Sequence, residues 1–163
     1  MNQKTCLVIV DGGSSANCIS VDFCLKARIP TEPHPKPHKI QWLDEGGVIK
    51  VTKQAKVLLN FGPFSYTVLC EVVPMEACHI LLGRPWEFDR DAIKYCQSNR
   101  YAVKSPEGEK FTLLPLPPHE ILKSQMKMHK EKQEQKNRLT KEIPSEGKKG
   151  REFGKSKSGE DEK

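Results

Sequence analysis

Leu7-Val8-Ile9-Val10-Asp11-Gly12-Gly13-Ser14-Ser15 is the stretch on which the reading of the fold turns. Four apolar residues run directly into one carboxylate, and two glycines and two hydroxyls follow. An acid at the end of a buried strand is costly unless it is paired. Adjacent glycines let the backbone turn sharply enough to present such an acid in a cleft. Asp-Gly between extended segments is also a strong two-residue hairpin signal, so the stretch alone fits an ordinary turn better than a catalytic loop.

A second stretch, Ile80-Leu81-Leu82-Gly83-Arg84-Pro85-Trp86, shifts that balance: a short apolar run ends in glycine and enters a helix-like segment about seventy residues downstream of Asp11. An Asp-Gly-Gly-Ser strand end followed by apolar-apolar-Gly-Arg resembles the retropepsins, the aspartic peptidases of retroviruses and retrotransposons. Gypsy-type elements offer the nearest likeness, through Asp11-Gly12-Gly13-Ser14, Pro37-His38-Lys39-Ile40-Gln41-Trp42-Leu43, Val51-Thr52-Lys53-Gln54 and Leu81-Leu82-Gly83-Arg84-Pro85-Trp86-Glu87-Phe88-Asp89. Together these segments cover roughly residues 5 to 105. Asp-Gly-Gly alone is weak evidence; the ordered set is strong.

Working outward, the chain of 163 residues has room for one domain and divides near Pro118. Before that point apolar runs recur with turn signals between them, the pattern of a small all-β unit. Residues 119–163 hold thirteen basic and nine acidic residues, hence net +4 of the chain's +6. The basic balance is therefore mainly a property of the tail. Long mixed-charge stretches are usually solvated linker, so it does not make the folded part a nucleic-acid binder. The six cysteines show no Cys-x-x-Cys spacing and no Cys/His cluster suited to zinc, and read as free thiols in a reducing compartment. No apolar run reaches the ~20 residues of a membrane span, and Leu7 to Val10 is too short for a signal-peptide core. The chain is expected to be intracellular and cytoplasmic, with no membrane partner.

Along the chain, Thr5 to Val10 reads as a buried strand, and Ile19 to Arg28 as a short strand or helical turn. Pro30, Pro33, Pro35 and Pro37 predict an extended connection that cannot pair as a central strand. His34 and His38 lie four apart there. That spacing suits a metal on a helix, which the prolines exclude, so no metal site and no cofactor are expected. Lys39 to Leu43 and Val48 to Leu59 alternate around Asp44-Glu45-Gly46-Gly47 and predict a hairpin, with Trp42 packing on it. Phe61 to Phe64 turns through Gly62-Pro63, and Tyr66 to Val73 is a further strand. Ile80 to Leu82 is the last buried strand, followed by a helix from Pro85 to about Tyr95. Tyr101 to Val103 and Phe111 to Leu114 read as closing strands. A lone exposed helix is predicted between Pro118 and Pro144, without a heptad, and disorder from Ser145.

The predicted fold is all-β: a small closed barrel with one short helix over residues 1–117, followed by a partly helical or disordered tail over residues 118–163. The retropepsin resemblance implies an aspartic endopeptidase whose two carboxylates, one Asp11 from each chain of a homodimer, share a proton and activate a water. It implies a polypeptide substrate held in extended form beneath the hairpin, whose tip, Gly46 and Gly47, acts as a flap. Gly12, Gly13 and Ser14 shape the loop around Asp11, and Ile80, Leu82 and Gly83 form the floor of the site. Gly12 replaces the Ser or Thr that many members use to brace the two loops across the dimer axis. Ser15 stands where many place an Asp that pairs with the arginine of Gly-Arg, so Arg84 must find another partner. Ten residues precede Asp11, spanning at most ~35 Å. The family places an additional strand or two there, so the domain is expected to be truncated at its N-terminus and its dimer weakened. The alternative reading keeps the fold without the chemistry, as an inactive dimerisation or peptide-binding module. Weak RNA binding through the basic tail ranks last, because acids nearly match bases there and no aromatics are interleaved.

Overall fold

A computed structural model describes residues 5–41 and 47–141. Trp42, Gly46 and the segment from Ser145 onward lie outside the described residues. No helix among the described residues is long and apolar enough to cross a membrane.

The longest pairing follows directly from residue alternation. Val51, Ala55, Val57 and Leu59 are buried along strand β4 (Val48–Phe61), while Lys53, Lys56, Leu58 and Asn60 between them are exposed. Strand β5 (Phe64–Val73) repeats the pattern with Tyr66, Val68 and Cys70 inward. Gly62-Pro63 joins the two, and the antiparallel register runs from Phe61 opposite Phe64 to Gln54 opposite Glu71. A period of two leaves one face for the core, which is why this hairpin was legible from sequence.

Four more strands complete a mainly β sheet in the order β1-β6-β2-β5-β4-β3. Strand β1 (Val8–Val10) pairs in parallel with β6 (Ile80–Leu82), which pairs antiparallel with β2 (Cys18–Ser20), and β2 pairs in parallel with β5. At the far side, β3 (Glu32–Gln41) pairs antiparallel with β4, closing the expected hairpin at Gln41 opposite Val48. The expected buried strand from Thr5 is shorter and only half-buried, because β1 lies at a sheet edge. The proline-rich segment is a strand rather than a connection, yet it occupies the other edge, where a missing N–H is tolerated. Helix α1 (Val21–Ala27) realises the helical alternative for the stretch after Ile19 and ends at Arg28 in the left-handed region.

Helix α2 (Arg84–Asp89) stops well before the predicted Tyr95. Asp91 takes a positive φ of 47°, and Ile93–Tyr95 becomes strand β7 of a second sheet, with β8 (Arg100–Lys104) and β9 (Lys110–Leu113). Pairing of Ile93 with Ala102 overrides the local helical preference. Phe64 stacks on Phe111 at 4.6 Å between ring centroids, fastening the small sheet to the large one. Trp86 of α2 is 2% exposed and packs beside Phe61 in the main apolar cluster with Ile19, Ile80 and Leu82.

Helix α3 (Pro118–Lys141) is not the lone helix expected from its composition. Met128 packs against a second cluster formed by Leu7, Cys18, Val51, Val73, Met75 and Cys78. Glu131 reaches Lys26 at 3.1 Å and Lys132 pairs with Glu76. Exposed pairs of this kind contribute little each, so the partly buried Met128 is the stronger of these contacts.

Candidate functional site

The loop from Asp11 to Asn17 arches over the C-terminal end of β6, because β6 lies between β1 and β2 in the sheet. Three hydrogen bonds secure it there. Asp11 N–H donates to the Leu82 carbonyl at 2.9 Å, Arg84 N–H donates to the Ser14 carbonyl at 2.9 Å, and Gly83 N–H donates to Asn17 Oδ1 at 2.9 Å. The fit is close enough to require glycine at position 83. A Cβ there would stand 2.3 Å from the Ala16 carbonyl oxygen and 2.8 Å from that of Ser14.

Within the loop, Gly13 N–H donates to Asp11 Oδ1 at 2.9 Å, and Ser14 N–H donates to the Asp11 carbonyl at 3.0 Å. This local turn fixes the carboxylate by its own backbone. Ser14 Oγ donates to the Ala16 carbonyl at 2.8 Å, so the hydroxyl shapes the loop as expected. Asp11 itself is exposed. The strand leading to it is half-buried rather than buried, because β1 is an edge strand, and in one chain the acid stands open to solvent. Among the described residues, Oδ2 of Asp11 accepts no hydrogen bond.

Beside Gly12, Glu87 of α2 places Oε2 2.6 Å from where a Cβ on residue 12 would lie; the contact is with the end of a flexible side chain, which a side chain at position 12 would push aside. Glu87 also contacts Tyr101 of β8, whose hydroxyl is pushed up mainly by burial, with Lys94 opposing that shift. Arg84 is exposed, and its guanidinium forms no ion pair among the described residues.

The other predicted site residues separate. Ile80 and Leu82 are fully buried in the core and Gly83 is buried beneath the Asp11 loop, so all three support the loop from below. Gly47 is exposed at the start of β4 with open space around it, and its neighbour Gly46 is outside the described residues. A cavity of about 980 Å³ does not include Asp11; Val10, Phe23, Val57, Ile80, Tyr101 and Leu116 are among its lining residues.

Asn17 was not singled out in the sequence, although it is 8% exposed and binds both ends of the site. Its Oδ1 accepts from Gly83, its Nδ2 donates to the Leu69 carbonyl at 3.3 Å, and its own carbonyl accepts from Glu71 N–H. The only signal available was a polar residue at the head of the apolar run Cys18-Ile19, and its partners lie more than fifty residues away. His79 was likewise unremarked. Its Nδ1 accepts from Leu7 N–H at 2.8 Å, its ring lies 4.6 Å from Phe23, and burial, helped by Lys26, holds its pKa below the ordinary histidine value.

All six cysteines are free, and four are buried. Burial pushes the thiols of Cys18, Cys70 and Cys78 up to about 12, so these groups behave as apolar packing rather than nucleophiles. The site thus offers one exposed, backbone-held carboxylate on a loop braced by a buried asparagine. A family model described as the PEG10/RTL1 protease domain matches residues 7–106, the segment that carries β1 through β8. No curated protein matches the chain.

Proposed function

This chain belongs to the PEG10/RTL1 protease-domain family, which is retropepsin-like and retrotransposon-derived, and from that premise we propose that it is one half of an aspartic endopeptidase. The observation that carries this reading is the Asp11 loop. One carboxylate oxygen is held by Gly13, and the exposed Asp11 stands on a loop tied to the end of β6 and the two residues after it by two main-chain hydrogen bonds and one from Gly83 N–H to the Asn17 side chain. Peptide hydrolysis by carboxylates needs a base to take a proton from water and an acid to give one to the leaving nitrogen. Two aspartates about 3 Å apart share one proton and supply both roles. Each chain contributes Asp11, and a two-fold axis brings the loops together. The β3–β4 hairpin closes over an extended polypeptide and excludes water.

In this arrangement Gly12 removes the hydroxyl brace across the axis. Each missing hydrogen bond costs about 1 kcal/mol, so the dimer forms at higher concentration. The test is cleavage of a denatured protein or peptide library at pH ~4 to 7, with wild type and Asp11→Asn compared at several concentrations, with and without pepstatin. A rate that rises faster than linearly with concentration, is blocked by pepstatin and is lost in Asp11→Asn supports the reading. Equal traces for wild type and Asp11→Asn at every concentration overturn it and leave the dimerisation or peptide-binding module.

A further inference from the structure

The edge strand β3 brings together two imidazoles that a straight strand would keep apart. Residues four apart on a regular strand are separated by about 13 Å. Here Pro33 lies opposite Lys53 and His38 opposite Val51, so five steps along β3 are matched by two along β4. The three extra residues bulge out, because Pro33, Pro35 and Pro37 have no N–H to give to the ladder. As a result the rings of His34 and His38 meet edge to face at 5.2 Å.

Glu71 of β5 completes the cluster. Its Oε1 lies 3.2 Å from His38 Nε2 and 4.0 Å from His34 Nε2. Its Oε2 is buried and has no hydrogen-bond partner among the described residues. One nitrogen from each histidine and one carboxylate oxygen lie within 4.8 Å of one another. His38 Nδ1 lies 3.2 Å from the Lys36 carbonyl, and in the tautomer that donates this hydrogen bond the lone pair on Nε2 faces the cluster, which is the form a metal ion binds.

We propose that His34, His38 and Glu71 bind a divalent zinc ion. Two imidazoles and one carboxylate are a common three-ligand zinc set that keeps a fourth position for water. Tetrahedral ligands at ~2.0–2.1 Å from zinc stand about 3.4 Å apart, so the widest separation must close by about 1.4 Å through side-chain rotation. His38 already has its other nitrogen on a backbone carbonyl, the outer contact that orients a metal-bound imidazole. His34 Nδ1 accepts from Lys36 N–H at 3.1 Å, and this contact is released when the ring offers a lone pair to the metal. Bound zinc gives Glu71 Oε2 a cation beside it and ties the bulged edge strand to β5 across β4, in place of the ladder bonds that the prolines remove.

The experiment uses the full chain, freed of metal by chelation and titrated with zinc chloride by calorimetry, alongside His34→Gln, His38→Gln and Glu71→Gln. Wild type is expected to take up one zinc per chain at the cluster and to melt at a higher temperature when loaded. Each variant is expected to bind at least tenfold more weakly and to lose most of the thermal shift. Glu71→Gln keeps the side-chain volume, and far-UV circular dichroism establishes that each variant is folded before titration; any variant that is not is replaced by the corresponding asparagine. Cobalt substitution supplies an independent reading. A spectrum without a thiolate charge-transfer band is expected, whereas such a band would move the metal to a cysteine such as Cys18, the register partner of Glu71. Absence of binding, or binding unchanged in all three variants, overturns the proposal.

Discussion

The two edges of the six-stranded sheet are built on opposite plans. Strand β1 has three residues, is half-buried, and leads directly into Asp11 and a loop held by main-chain hydrogen bonds and the Asn17 side chain. Strand β3 has ten residues, is largely exposed, and carries three prolines that interrupt its pairing. An edge strand with free N–H and C=O groups invites another strand, and proline is one of the means by which proteins prevent it. Among the described residues no strand pairs on the outer side of β1, beside the candidate catalytic loop, while the prolines of β3 oppose pairing on the other edge. The difference teaches that precision and permissiveness are divided between edges: the Asp11 loop tolerates almost no change in its anchors, whereas the β3 bulge accommodates slack.

The sharpest way to break this contrast is Gly83→Ala. Its methyl group collides with two backbone oxygens, which cannot swing aside as a side chain would. A loss of about 3 kcal/mol or more in urea unfolding is expected, with Asp11 displaced; a loss below about 1 kcal/mol would mean that the loop is not locked onto β6. Asn17→Ala comes next. It leaves the buried Gly83 N–H unpaired and removes the link to Leu69, for an expected loss of about 2 kcal/mol by the same measurement.

Acid supplies a subtler probe of the β1 edge. In the folded chain His79 has a lower pKa than the ordinary ~6.5 of an unfolded histidine. Its contribution to stability is therefore full above pH ~6.5 and is lost as pH falls toward and through the depressed folded value, because the unfolded chain takes the proton first. Once protonated, Nδ1 no longer accepts from Leu7. Unfolding free energy measured between pH 7.5 and 5.5 is expected to fall in wild type and to fall less in His79→Asn; parallel curves would remove His79 from the account. The smallest effect on stability belongs to Pro35→Val on the opposite edge. Position 35 is exposed, so the folded state changes by less than about 1 kcal/mol. The restored N–H instead increases self-association at high concentration, seen by light scattering; unchanged scattering would show that proline is not what closes this edge.

Much of the architecture could be read from local pattern. The hairpin around Gly62-Pro63 and the hairpin joining Ile40 to Ile49 carry period-two alternation that only a half-buried strand satisfies. The helix after Gly83 was placed at its start but not at its end. Nothing local announces that Asp91 turns left-handed or that Ile93 pairs with Ala102. The docking of α3 was equally hidden, since its apolar contact is one half-buried residue, Met128, within a highly polar helix.

The candidate site divides in the same way. Asp11, Gly13, Ser14 and Gly83 were found because short motifs record short-range demands: a carboxylate after a strand, a turn beside it, a glycine where backbones meet. Asn17, Glu87 and His79 were missed because each acts on a partner distant in sequence. His34 and His38 were set aside on the spacing rule for helices, although three alternate prolines could have warned of a bulge. By itself, the sequence determined the strand alternation, the Asp11 turn and the family to which the domain belongs, because these depend on neighbours along the chain. Only the tertiary structure decided that Asp11 stands exposed at an edge, that Glu87 fills the space beside Gly12, and that two histidines meet Glu71. Those facts depend on which strands lie side by side, and strand order is set by burial of the whole core rather than by any one segment.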